Sequence, residues 1–348
     1  MQHEGQNPIP DHRPLGLGCG RPTEISALAT YVPPRLLTNA DLEKMVDTTS
    51  EWILQRTGII ERHIVDPGVA TSDLGKEAAL KAIAEAGLTP DDIDLIVVGT
   101  TTPDMFFPST AALIQHKIGA SRAWGFDLAG ACSGFTFALA TGSQLVSTGR
   151  HQHALVVGAD TMSSIIDYQD RATCVLFGDA GGAAVVSAAR EPGFGILDFA
   201  HEIDGSGAAA LNMPAGGSLR PASRETVEQR LHYVKQDGQA VFKFAVRKTE
   251  EISRVIMQRN NLTPDDIDLF VSHQANRRII QAAADRLGFC GSKVIINLER
   301  YGNTTAATIP LALTDARAEG RLKKGSLVLL ASVGAGFTVG SVLVRWAY

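Results

Sequence analysis

The octapeptide Leu-Thr-Pro-Asp-Asp-Ile-Asp-Leu occurs twice, at Leu88–Leu95 and again at Leu262–Leu269. The offset, 262 − 88 = 174, is half of the 348 residues. Each copy runs into an apolar, strand-like stretch, Ile96–Val98 and Phe270–Val271. Each also follows a helix-like segment, Asp73–Ala86 and Thr249–Asn260. A chain that uses one α/β unit twice is constrained to two similar halves, packed about a pseudo-twofold axis. A second echo agrees: Gly149-Arg150 precedes Ala154–Val157 as Gly320-Arg321 precedes Leu327–Leu330.

Periodicity and punctuation place the other elements. In the first half, strands are expected over Glu24–Thr30, Asp92–Gly99, Ala123–Leu128 and His153–Gly158. A helix starts at Thr38–Leu42 with Thr38 or Asn39 as N-cap. The next is capped by Ser72 or Asp73 and stops at Gly87; others cover Ser109–Lys117 and Gly134–Val146. Thr100–Pro108 is a polar loop carrying Met105, Phe106 and Phe107. In the second half, helices are expected over Val241–Asn260, Arg277–Leu287 and Thr305–Glu319. Strands follow over Ile267–Ser272, Val294–Asn297, Leu327–Ala331 and Gly340–Trp346. Asp204–Arg224, rich in small residues and without period, reads as a long loop and a mobile cover over a pocket. The domain reading is a flexible extension over 1–22, one half over 23–192 and the other over 193–348. The fold class is α/β, with mixed but mostly parallel sheets layered with helices.

Composition narrows the function classes. A net charge of −5 disfavours a general nucleic-acid binder. No apolar run approaches the roughly 18 residues of a membrane span, and the first 22 residues lack the apolar core of a signal peptide. Four scattered cysteines, Cys19, Cys132, Cys174 and Cys290, form no metal or disulfide framework. A cytoplasmic protein without a metal fits.

Three short segments carry chemistry. In Ala131-Cys132-Ser133-Gly134 an apolar strand ends and a helix begins. Backbone N–H groups at a helix start favour an anion, so a thiol there is expected to lose its proton more easily. Small neighbours (Gly130, Ala131, Ser133, Gly134) are expected to leave room for an acyl group. His273 ends a buried strand, at the edge of a parallel sheet where ligands bind. Taken singly it reads as a core histidine. Asn303, in Tyr301-Gly302-Asn303-Thr304, reads either as an N-cap or as an amide donor aimed at a developing negative charge. The 174-residue offset places the Asn303 turn opposite the Cys132 turn, with His273 between, so all three are expected in one pocket.

At these residues the chain resembles the β-ketoacyl-acyl-carrier-protein synthase III family of thiolase-fold condensing enzymes. The resemblance spans about residues 23–348. Its markers are Asp127-Leu-Ala-Gly-Ala-Cys132-Ser-Gly-Phe135, His273-Gln-Ala-Asn276, Tyr301-Gly-Asn-Thr304, Glu51-Trp-Ile-Leu-Gln-Arg-Thr-Gly-Ile59 and Gly334-Ala-Gly-Phe-Thr-Val-Gly340. It implies a duplicated αβαβα fold and a homodimer. The implied reaction is decarboxylative condensation of an acyl-CoA starter with malonyl-acyl-carrier protein, without a cofactor. Cys132 matches the nucleophile; His273 and Asn303 match the enolate-stabilising pair. The backbone N–H groups of Cys132 and Ala335 match the oxyanion hole. Trp52, Arg56 and Arg171 match contacts to the CoA head, and Gly238, Gln239 and Phe242 contacts to the pantetheine arm. Gln239 stands where many relatives have asparagine. Phe107 matches a residue that closes the acyl pocket across a dimer interface, and Val333 replaces an aromatic found in some relatives. Arg278, with Arg277 beside it, matches the carrier-protein landing site. Arg247, Lys248, Arg254 and Arg286 are expected to extend a basic patch there.

Three rivals differ in chemistry. A condensing enzyme of secondary metabolism would take another starter. A cysteine thioesterase would release free acid. A thiolase-fold binding protein would not turn over at all. Elongating condensing enzymes carry a second histidine where Asn303 stands.

Overall fold

The computed structural model describes residues 20–348. Most of the expected extension over 1–22, with Cys19, lies outside them. Its last residues are tied down rather than free. Arg21 donates to Ser147 O (2.9 Å) and Val146 O (3.1 Å), adding hydrogen bonds to carbonyls at the end of the helix Gly134–Ser147.

The first half contributes β1 (Thr23–Tyr31), α1 (Ser50–Thr57), α2 (Thr71–Glu85), β2 (Leu95–Gly99), α3 (Thr110–Ile118), β3 (Trp124–Leu128), α4 (Gly134–Ser147), β4 (His153–Asp160) and β5 (Ala180–Ala188). The second contributes β6 (Gly195–Ile203), α5 (Gly238–Arg259), β7 (Leu269–Ser272), α6 (Arg277–Leu287), α7 (Thr308–Ala318), β8 (Leu327–Gly334) and β9 (Thr338–Arg345). One sheet has the order β1-β5-β4-β2-β3, and the other β6-β9-β8-β7. Corresponding pairs have the same sense. β1–β5 and β6–β9 are antiparallel, as are β5–β4 and β9–β8, while β4–β2 and β8–β7 are parallel.

The duplication persists in hydrogen bonds. The Thr89 and Thr263 hydroxyls donate to Asp92 and Asp266 at 2.7 and 2.6 Å. The Asp94 and Asp268 backbones donate to His153 O and Leu327 O at 3.2 and 2.9 Å. Gly87 and Asn261, also 174 apart, both take left-handed φ, 72° and 54°.

Three apolar clusters order the layers. α4 and α7 lie between the sheets, contributing Phe135, Leu139, Ile309 and Leu313 to the central core. α2 and α3 cover the outer face of the first sheet with Ala78, Ala82 and Ile114. α5 and α6 cover the second with Ile252, Ile256 and Ile280. This is the αβαβα sandwich.

The sheets are mixed and mostly parallel in strand direction, as expected: only β5 and β9 run against the other strands, and the antiparallel pairings are the ones they make. Three expectations need correction. Val294–Asn297 is not a strand beyond a single bridge, Phe270 to Val294. The Gln274 side chain instead takes up Ile295 O (3.0 Å) and Asn297 N (3.0 Å). α2 starts at Thr71, and Asp73 serves its third position, accepting from Ala70 N at 2.9 Å. Within Asp204–Arg224 the first part is held. Asp204 and Phe337 exchange backbone bonds of 2.8 and 2.5 Å, and a short 3-10 turn covers Gly205–Ala209.

Candidate active site

Cys132 sits in a 3-10 turn, Ala131–Ser133, that leads from β3 into α4. Ala131 takes φ +47°, a conformation L residues rarely adopt. The counterpart 174 residues on, Thr305, takes φ +49° and opens the matching turn Thr305–Ala307 ahead of α7. Strained backbone therefore stands at the same point in both halves.

The glycines flanking Cys132 serve close packing and not acyl volume, contrary to expectation. A Cβ on Gly99 would lie 2.4 Å from the Gly134 carbonyl carbon, and one on Gly130 would lie 3.1 Å from Gly134 Cα. The tip of the β8–β9 hairpin closes the other side. A Cβ on Gly334 would stand 2.7 Å from Cys132 N, and the Thr338 hydroxyl donates to Gly130 O at 2.8 Å. Ala335 follows Gly334 in that tip and lies outside the cavity lining.

The thiol differs from expectation too. Burial first, and the Asp160 carboxylate second, push Cys132 up to about 12, outweighing the backbone N–H that favours the thiolate. The resting thiol is protonated.

Asn303 is anchored by its backbone, which donates to Leu176 O (2.8 Å) and accepts from Gly178 N (3.1 Å). Its Oδ1 accepts from Thr305 N at 2.9 Å. Because Thr305 N–H can only donate, the amide orientation is fixed and the Nδ2 hydrogens are left for other acceptors. The capping and donor readings of Asn303 are thus compatible. His273 donates from its backbone to Ala331 O at 2.8 Å at the end of β7. Its Nδ1 lies 2.7 Å from the Thr308 hydroxyl.

Cys132, His273 and Asn303 line one cavity of about 220 Å³ with Trp52, Arg56, Gly238, Phe242 and Val333. Its wall runs from the exposed Arg56 inward to the buried Cys132. Arg171 lies beside the entrance, 5.1 Å from the Trp52 ring, and Arg56 is 6.0 Å from the same ring. Gln239 and Phe107 do not line the cavity. Gln239 N caps onto Asp237 at 3.0 Å, and Phe107 is 84% exposed.

The basic patch is mostly neutralised. Arg247 pairs with Glu251, Lys248 with Glu202, Arg254 and Arg286 with Glu250, and Arg277 with Glu299. Arg278 is exposed and stacks 5.6 Å from the Phe242 ring at the cavity wall, with no ion pair among the described residues.

Sequence reading missed Phe337, which lines the cavity, stacks on Phe244 (4.0 Å) and fills the space a Cβ on Gly207 would need. It also missed Asp160, fully buried at the end of β4. This carboxylate accepts from Thr100, Thr101 and Thr102 in the first half, and from the Thr305 hydroxyl and Ala306 N in the second.

The site imposes a pH dependence on stability. Burial pushes His273 down to about 3, and His201, packed against Phe137 and Phe199, down to about 4. An unfolded histidine titrates near 6.5, so below that pH the unfolded chain takes up protons that the folded chain refuses. Folding stability is full above about 6.5 and falls as the pH drops toward the folded values. Each histidine costs about 2 kcal/mol near pH 5. Asp179, pushed up by burial, offsets part of this at the acid end. Urea midpoints at pH 7 and pH 5 measure the effect, and equal midpoints would contradict two neutral buried imidazoles.

No described helix is long and apolar enough to cross a membrane, and no three described His, Cys, Asp or Glu side chains are placed to hold a metal. The fold matches that of β-ketoacyl-acyl-carrier-protein synthase III from Thermus thermophilus with a TM-score of 0.86 at 43% identity, covering 93% of this chain and 99% of that one. Twin α/β halves closing on a buried thiol define a condensing acyltransferase of the thiolase fold. Residues 126–205 match the model of 3-oxoacyl-[acyl-carrier-protein] synthase III, and residues 257–346 match its C-terminal model. The chain is 56% identical to the β-ketoacyl-[acyl-carrier-protein] synthase III of Koribacter versatilis (94% of this chain, 99% of that one), and 59% identical to that of Solibacter usitatus (93% and 99%). The chain belongs to the β-ketoacyl-acyl-carrier-protein synthase III family.

Proposed function

We propose that this protein joins an acyl-CoA starter, acetyl-CoA first among them, to malonyl-acyl-carrier protein, giving 3-oxoacyl-acyl-carrier protein, CoA and CO₂. The observation that carries the reading is the meeting of one thiol and two side-chain donors on a single cavity. Cys132 attacks the thioester carbonyl; the acyl group moves to sulfur, and the thiol proton ends on the released CoA. Backbone N–H groups at Cys132 and Ala335 stabilise the tetrahedral oxyanion. Malonyl-carrier protein then enters and loses CO₂. The enolate oxygen receives hydrogen bonds from Asn303 Nδ2 and His273 Nε2. Its carbon attacks the acyl thioester, and the expelled Cys132 thiolate takes one proton from solvent. Each oxyanion donor contributes about 2.7–4 kcal/mol to such a step.

The wall supports an assignment of the substrates. Trp52, Arg56 and Arg171 offer a flat ring and two cations to the CoA head. Gly238 and Phe242 border the pantetheine arm, with Gln239 at the rim, and Val333 lies beside the acyl group. Arg278, a rim cation without an ion pair among the described residues, receives the acidic carrier protein, and Arg277 plays a smaller part because Glu299 holds it. The exposed Phe106 and Phe107, 82% and 84% accessible, and the free edge of β3 fit a homodimer interface in which Phe107 closes the partner's acyl pocket. The setting is the cytoplasm, and neither nucleic acid nor membrane is a partner.

The test incubates the protein with radiolabelled acetyl-CoA and malonyl-carrier protein. Label in a carbon–carbon-joined product on the carrier protein is expected. Free acetate alone would establish a thioesterase instead.

A further inference from the structure

His273 has a hydrogen-bond partner at only one of its ring nitrogens. Nδ1 faces the Thr308 hydroxyl at 2.7 Å, while Nε2 has no protein partner among the described residues and is left for the cavity that His273 lines. Thr308 is the first residue of α7, 2% exposed, and does not line the cavity itself. Its single hydroxyl proton has two acceptors in reach, Nδ1 and Thr305 O at 3.1 Å.

Two observations favour Nδ1 as its acceptor. Hydroxyl donors sit about 2.5–3.0 Å from oxygen acceptors, so Thr305 O at 3.1 Å is the longer and weaker contact and Nδ1 at 2.7 Å the nearer one. Thr305 O also accepts the backbone N–H of Thr308, so it is not stranded when the hydroxyl turns away. A neutral imidazole carries one hydrogen. If Nδ1 accepts, the hydrogen is on Nε2.

We infer that Thr308 is a positioning residue whose hydroxyl donates to His273 Nδ1 and thereby fixes the tautomer that presents an Nε2–H to the cavity. Resting on the proposed function, this makes His273 a donor alongside Asn303 Nδ2, so that one oxygen meets two donors. The opposite tautomer would set a lone pair against that oxygen.

The test has two arms. In protein labelled with ¹⁵N in histidine, two-bond proton–nitrogen correlations distinguish the tautomers without substrate. Wild type is expected to show His273 protonated at Nε2, and a signal protonated at Nδ1 would overturn the inference. In the second arm, Thr308→Val removes the hydroxyl at nearly constant shape and Thr308→Ser keeps it. Malonyl decarboxylation is expected to fall about 10- to 100-fold in Thr308→Val, as for other groups that orient a functional histidine, and to return in Thr308→Ser. A folded Thr308→Val protein that decarboxylates at the wild-type rate would also overturn it. Should Thr308→Val not fold, the wild-type spectrum decides. Should His273→Ala leave decarboxylation unchanged, the proposed function fails while the spectrum still reports the tautomer.

Discussion

Cys132→Ala is expected to lose acyl transfer by roughly 10⁴-fold or more, since nothing else lining the cavity is a comparable nucleophile. Intact-mass measurement after mixing with acetyl-CoA reads this as the missing acyl adduct. The same variant is expected to retain release of CO₂ from malonyl-carrier protein, because that step uses the donors of Asn303 and His273 and leaves the sulfur out. Asn303→Ala reverses the pattern. The adduct still forms, while CO₂ release falls about 10²- to 10³-fold, the usual effect of removing one oxyanion donor. An adduct on Cys132→Ala, or undiminished CO₂ release from Asn303→Ala, would refute the division of labour. The substitution is also mild structurally. The thiol rests neutral and buried, so alanine removes a small apolar-like group and leaves no charge unpaired.

Asp160→Ala is the most damaging change expected for the fold. Thr100 (3.0 Å), Thr101 N (2.7 Å), Thr102 N (3.1 Å) and Thr102 Oγ1 (2.9 Å) converge on this carboxylate from one half. The Thr305 hydroxyl and Ala306 N (3.2 Å) reach it from the other. Deleting it strands several buried donors together. At about 1–3 kcal/mol for each unsatisfied group, with incomplete additivity, a loss of about 4 kcal/mol or more is expected in urea unfolding. Asp160→Asn removes the charge and keeps the hydrogen bonds to one oxygen, Oδ1, while the bond from Ala306 N to the other is lost. The Asp160 charge helps hold the Cys132 thiol up near 12, so its removal lowers that value and raises the thiolate fraction. Alkylation of Cys132 by iodoacetamide near pH 8 is therefore expected to speed up in Asp160→Asn. A slower reaction would show that the carboxylate does not act on the sulfur through its charge.

Much of this arrangement was legible in the chain. The repeated octapeptide fixes equivalent strands, and its Thr and Asp residues build the same turn twice. α6 begins and ends where its periodicity and Gly288 place it. Other features needed coordinates. β6, Gly195–Ile203, escaped notice because Asp198, His201 and Glu202 break its apolar pattern, while pairing to β9 supplies its stability. The direction of the Cys132 shift was misread because a helix start is visible in sequence and burial beside Asp160 is not. Thr308 and Asp160 look ordinary where they stand, at a helix start and a strand end. Their roles come from atoms 35 and 145 positions distant along the chain. The basic patch failed as a set because the glutamates that neutralise it lie both on the same helix and on other elements.

Ala306 occupies, in the second half, the seat that sulfur holds in the first. A Cβ on Gly134 would come within 3.4 Å of its methyl, and one on Gly158 would meet its carbonyl oxygen at 2.5 Å. That sister seat is a buttress with no spare volume. Doubling a stretch of chain thus delivered two identical platforms and a single workbench. Sister positions accordingly face opposite demands: one must admit a guest, and the other must admit nothing.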